Sequence, residues 1–171
     1  MKRGKKICVV ANCLLNANAK IQPYAFYPGA NRTVIEPLLR DDVGLIQLPC
    51  PETSYLGMRR WGVTKEQLDT LAHREHCESI LRAPLLEMLA YTDAGYEIES
   101  ILGINGSPSC GVEMTCTGYC GGEIPQDADV LAKQQEQLRM TPGRGVFMDM
   151  LAEMLERHAL KIPFKGIDEE G

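Results

Sequence analysis

The sequence predicts one small α/β domain of Rossmann-like type, a mainly parallel sheet with helices on both faces and a ligand site at the C-terminal edge of its strands. Three observations predict it. Short apolar runs (Ile7 to Ala11, Gly44 to Pro49, Ile98 to Ile104) recur along the chain, and the first is unbroken, as expected of a strand buried on both faces. Helical stretches alternate with these runs, which implies parallel pairing through crossovers. No repeat, low-complexity segment or composition shift divides the 171 residues into two units.

The first run, Ile7 to Ala11, is rich in β-branched residues and exits through Asn12-Cys13-Leu14-Leu15-Asn16. Asn16 to Asn31, with Pro23, Pro28, Gly29 and three aromatics, has loop composition. It is long for a βα connection, and such loops often carry function. Thr33 is placed to cap a short helix, Val34 to Arg40, with Glu36 in its first turn. Gly44 to Pro49 forms the second strand, and Pro51, which has no N–H, ends its ladder. The exit loop from Cys50 to Gly62 sets Arg59 and Arg60 beside the single tryptophan, Trp61.

Thr64 and Gln67 match a capping box and predict a helix from Lys65 to about Ser79, with Leu68, Leu71 and Ala72 on one face. A second helix, Leu81 to Ala94, has an apolar stripe of Leu85, Met88 and Leu89, with Pro84 in its first turn or at a kink. His73 and Cys77 share a helix face, read as a mixed surface face around a buried Cys77 rather than as a metal site. Ile98 to Ile104 is the third strand. Gly111 to Gly122 is Gly-rich and irregular and carries Cys116 and Cys120, read as loop thiols. Pro125 to Arg139 is polar and fits a loop or an exposed helix. Gly145 to His158 is an amphipathic helix whose Phe147, Met148, Leu151, Met154 and Leu155 belong to the core. Leu160 to Ile167 reads as a last strand, at an edge because of Pro163.

Net charge of −5 without a long basic run argues against nucleic acid as a partner. No run approaches the ~18 apolar residues of a membrane helix. The basic start, Met1 to Lys6, leads into too few apolar residues for a signal peptide. The expectation is a cytoplasmic chain, off the membrane, acting on a small molecule. Seven cysteines, an odd number in a reducing compartment, are poorly explained by a disulfide framework.

Cys13, Cys50 and Cys110 each stand just past a predicted strand, so a parallel sheet brings all three to one edge. They lie far apart in sequence, unlike the close CxxC pairs of a zinc ribbon. Two readings stay open. Free cysteines are often small buried apolar groups. Alternatively, these thiolates hold a metal centre with a vacant position. Thiolates commonly ligate iron–sulfur clusters in fours, so three would leave one iron open as a Lewis acid. A centre ringed by sulfur favours a soft donor such as a thiocarbonyl.

Cys13-Leu14-Leu15-Asn16, Leu48-Pro49-Cys50-Pro51-Glu52, Ser107-Pro108-Ser109-Cys110-Gly111 and Ile162-Pro163-Phe164-Lys165-Gly166-Ile167-Asp168 together resemble the thiouracil desulfurase (TudS) family and its related desulfidases. The resemblance runs from about Lys6 to Asp168. It implies a [4Fe-4S] cluster held by Cys13, Cys50 and Cys110, with an open iron that takes sulfur from a small thiolated substrate. It also implies proton transfer by an acidic residue and a serine, here Glu52 with Ser107 or Ser109. Asn16 to Tyr24, Ser54 to Trp61 and the Cys116–Cys120 segment depart from the better-known members, which implies a related subgroup with its own pocket. Tyr24, Arg59, Arg60 and Trp61 are the residues expected to shape that pocket. A three-cysteine cluster dehydratase and a non-catalytic zinc or iron–sulfur module are the competing readings.

Overall fold

The computed structural model describes residues 3–169. Its strands are β1 (Lys6–Val10), β2 (Gly44–Gln47), β3 (Glu97–Ile104), β4 (Met114–Thr117), β5 (Arg139–Pro142) and β6 (Phe164–Ile167). Its helices are α1 (Asn12–Leu15), α2 (Arg32–Arg40), α3 (Pro51–Leu56), α4 (Lys65–Leu68), α5 (Leu71–Asp93), α6 (Ala128–Gln135) and α7 (Val146–Arg157), with a 3₁₀ turn at Ala17–Ala19. Four strands form one sheet in the order β2-β1-β3-β6, and every pairing in it is parallel. Ile7 to Val10 are all buried. Successive side chains of a strand point to opposite faces, so burial of consecutive residues means that both faces of β1 are covered.

The core lies between this sheet and its helices. Leu81, Leu85 and Met88 of α5 join Phe147, Met148, Leu151, Met154 and Leu155 of α7, and both helices pack on each other. The helical spacing of α7 and the edge position of β6 agree with expectation. Among the described residues no helix is long and apolar enough to cross a membrane.

Several local expectations are corrected. Helix α2 is capped by Asn31, whose side chain accepts from the Val34 N–H at 3.3 Å, and not by Thr33. The Thr64 capping box forms, yet α4 stops at Leu68. Thr70 then accepts from the His73 N–H at 3.2 Å and starts a new helix, α5, which runs unbroken through Pro84 for 23 residues. A second cap six residues after the first redirects the chain. Leu71 therefore turns outward and is 76% exposed, while His73 is fully buried rather than on a surface face. Cys50 caps α3, and Pro51 occupies the first helical position, where a missing N–H costs nothing. The stretch after Cys110 holds an antiparallel pair, β4 with β5, connected through α6. Asp127 caps α6 by accepting from the N–H groups of Asp129 and Val130.

Candidate metal centre

Parallel strands end at the same edge of a sheet, so the residues after β1, β2, β3 and β6 gather there. Cys13 lies in α1, just past β1; Cys50 is the cap of α3, just past β2; Cys110 lies in the loop that follows β3. All three thiols are free. Burial pushes the Cys13 thiol up to about 12; Cys50, Glu169 and Glu52 add to this and Lys20 opposes it. Burial likewise holds Cys110 well above the ordinary thiol range, with Cys13, Cys50, Glu52 and Cys77 acting in the same direction. Cys13, Cys50 and Cys110 thus share one electrostatic neighbourhood. The Cys50 sulfur accepts from the Thr53 N–H at 3.4 Å.

The Cys110 loop is built with little freedom. Ser107 Oγ accepts from the N–H of Cys110 at 2.9 Å and of Ser109 at 3.3 Å. The first N–H groups of α7, which have no partner inside the helix, are donated back to this loop. Val146 N–H reaches the Pro108 carbonyl at 2.9 Å, and Phe147 N–H reaches the Ser109 carbonyl at 3.0 Å. The loop folds back so closely on β3 that a Cβ at Gly103 would lie 2.3 Å from the Cys110 carbonyl oxygen. A Cβ at Gly145 would meet the Ser109 carbonyl at 2.5 Å. Glycine at both positions is what permits this approach.

Beside the thiols, Glu52 is held at both oxygens. Ser109, fully buried, donates from Oγ to Glu52 Oε1 at 2.8 Å. Arg60 Nε donates to Glu52 Oε2 at 3.3 Å. The same guanidinium donates to the Gly57 carbonyl at 3.0 Å and to the Ala19 carbonyl at 2.6 Å. Arg60 therefore turns inward and ties two loops to Glu52. Ser107 is occupied with the turn itself. Arg59 is exposed, as are Tyr24 at 56% and Trp61 at 78%. Behind Glu52, His73 stacks edge-on to Tyr55, and its ring nitrogens lie 3.7 and 3.8 Å from the Cys77 sulfur. Burial, and then His76, depress the His73 pKa, with Glu52 opposing. Cys116 lies on β4 with its thiol raised by burial and by Glu66, and Cys120 is exposed.

Lys20, Tyr27 and Glu169 also meet at this edge, and the sequence reading missed them. Glu169 follows β6 as the cysteines follow their strands, so the same rule of strand exits locates it.

Among the described residues, no three His, Cys, Asp or Glu side chains are drawn together tightly enough to ligate a single metal ion. An iron–sulfur cubane makes a different demand, because each thiolate binds its own iron and the sulfurs stand further apart. Three free thiols at three strand exits are a donor set of the kind such a cluster takes, and Cys13, Cys50 and Cys110 are the residues that would hold it.

No family model matches the chain, and no solved structure matches it. The uncharacterized protein MJ0003 of Methanocaldococcus jannaschii is 37% identical over 110 residues, spanning 64% of this chain and 70% of the archaeal protein. With that identity over more than two thirds of the relative's length, the chain belongs to the family of the archaeal protein MJ0003.

Proposed function

We propose that this chain is an iron–sulfur-dependent desulfidase, which removes sulfur from a small thiolated or thiocarbonyl compound. One juxtaposition carries the reading. Three free thiols share a sheet edge with a carboxylate that a buried serine and a buried arginine hold in place. Cys13, Cys50 and Cys110 would hold a [4Fe-4S] cluster, which when bound supplies an iron without a protein ligand as a Lewis acid for soft sulfur. The net change converts C=S into C=O. Water gives its oxygen to carbon, and its two protons leave with the sulfur as hydrogen sulfide, so no electron donor is needed.

Glu52 accepts a proton from the attacking water. Ser109 Oγ, at 2.8 Å from Oε1, passes protons to and from that carboxylate. Arg60 prevents the carboxylate from turning away. Tyr24, Arg59 and Trp61 stand on the two loops that Arg60 ties together and meet the incoming substrate. Seven free cysteines fit a reducing, cytoplasmic setting.

The test is anaerobic reconstitution followed by iron and sulfide assay. The expected result is a brown chain with ~4 iron and ~4 sulfide. Cys13→Ala, Cys50→Ala and Cys110→Ala should each lose both. The loaded chain should release sulfide from thiolated bases or small thioamides. A colourless protein with one equivalent of zinc would overturn the reading in favour of a zinc module. Iron loading with water loss from a hydroxy acid would instead identify a dehydratase.

A further inference from the structure

Around Cys13 lies a buried set of charges that the proposed chemistry does not use. The side chains of Lys20 and Glu169 are 11% and 5% exposed and form an ion pair. The Lys20 ammonium also lies 5.4 Å from the ring centre of Phe26 and 5.5 Å from that of Tyr27. The Tyr27 hydroxyl faces two acceptors, the Glu169 carboxylate and the Cys13 carbonyl, the latter at 3.0 Å. Its one proton serves one of them at a time. Glu169 reaches this place because β6 is parallel to β1 and exits at the same edge. Asn105, just past β3, donates to Asp168 at 2.8 Å and fixes the path of the segment toward Glu169.

We infer that Glu169, acting through Lys20 and Tyr27, is a positioning residue that fastens the segment after β6 over the Cys13 turn, screens that half-buried thiol and keeps it in register with the other two. The purpose of the clamp rests on reading Cys13 as a cluster ligand; its existence does not. An ion pair this buried is held together by its own geometry. Releasing Glu169 leaves an unpaired ammonium under the aromatic rings, which is costly. The hydroxyl of Tyr27 joins that pair to the backbone of the residue to be held.

The experiment is alkylation of the full chain, before and after reconstitution, with each cysteine followed separately by peptide mass spectrometry. In Glu169→Gln the labelling of Cys13 before reconstitution should accelerate at least about tenfold, as expected of local opening, while Cys77 and Cys110 keep their native rates. Tyr27→Phe leaves the ring over Lys20 and removes the link to Cys13, so it should accelerate Cys13 to a lesser degree. After reconstitution, both variants should return a smaller share of iron than the parent chain. An unchanged Cys13 rate in both variants overturns the clamp. So does parallel acceleration at Cys77 and Cys110, which would assign these residues to stability of the whole fold. Selective opening of Cys13 in a chain that takes up no iron supports the clamp and removes the desulfidase reading. Normal iron loading with unchanged labelling does the reverse.

Discussion

Ser109 has no contact with solvent, and its hydroxyl proton is directed at one oxygen of Glu52. Ser109→Ala leaves that oxygen without its donor inside the protein. The expected cost is about 1–3 kcal/mol of stability, read from the urea midpoint, together with a slower release of sulfide. Glu52→Gln keeps the shape and removes the carboxylate that the proposed function uses as a base. It should retain its iron and lose turnover by about 10²–10⁴-fold, checked by iron assay beside sulfide release. If turnover survives, Glu52 serves only to hold Arg60 and Ser109. These positions were legible because each follows an apolar run and a strand exit has one destination in a parallel sheet. The orientation of Arg60 was not legible. A loop arginine beside a tryptophan gives no sign that its guanidinium will turn inward to a carbonyl 41 residues earlier.

Between elements, the docking of α7 onto the Cys110 loop explains how an irregular stretch is held in place. The unpaired N–H groups of a helix and the carbonyls of a loop satisfy each other, so neither requires solvent. Gly103 is the weak point of that joint. Gly103→Ala puts a methyl group against the Cys110 carbonyl, Val112 and Met148. It should cost about 1–3 kcal/mol by overpacking and lower the iron content although every cysteine is present. Full iron loading in that variant would show that the loop tolerates displacement. Element types were readable from periodicity for β1, β3 and α7, whose burial is strong. The division of α4 from α5 depended on competition between two caps, Thr64 and Thr70, which periodicity does not see. β4 and β5 are four residues each with a long connection between them, so no tight-turn signal marked the pair.

For the molecule as a whole, buried neutral thiols make stability depend on alkaline pH. Cys77 is pushed up to about 12 by burial from an ordinary value of 9.0, and Cys13 and Cys110 are raised in the same sense. Above pH 9 the unfolded chain releases thiol protons that the folded chain keeps. Stability is therefore complete below pH 9 and falls as pH rises toward 12. Cys77→Ala removes one such thiol, so its stability in the absence of metal should fall less steeply across that window, by about one proton per molecule. Urea unfolding at several pH values measures the slope. An unchanged slope would mean that Cys77 ionises as readily folded as unfolded. The overall architecture was legible because three mainly apolar runs separated by helices admit few topologies. The charge cluster at Lys20 and Glu169 was not, since ion pairs between distant loops leave no periodic trace.

The order of the residues at the shared edge also sets a timetable for biosynthesis. Cys13 leaves the ribosome early, Cys50 and Cys110 much later, and Glu169 after β6, so no partial chain holds the complete constellation. On the proposed function, a cluster bound by all three cysteines forms only after Cys110 has left the ribosome.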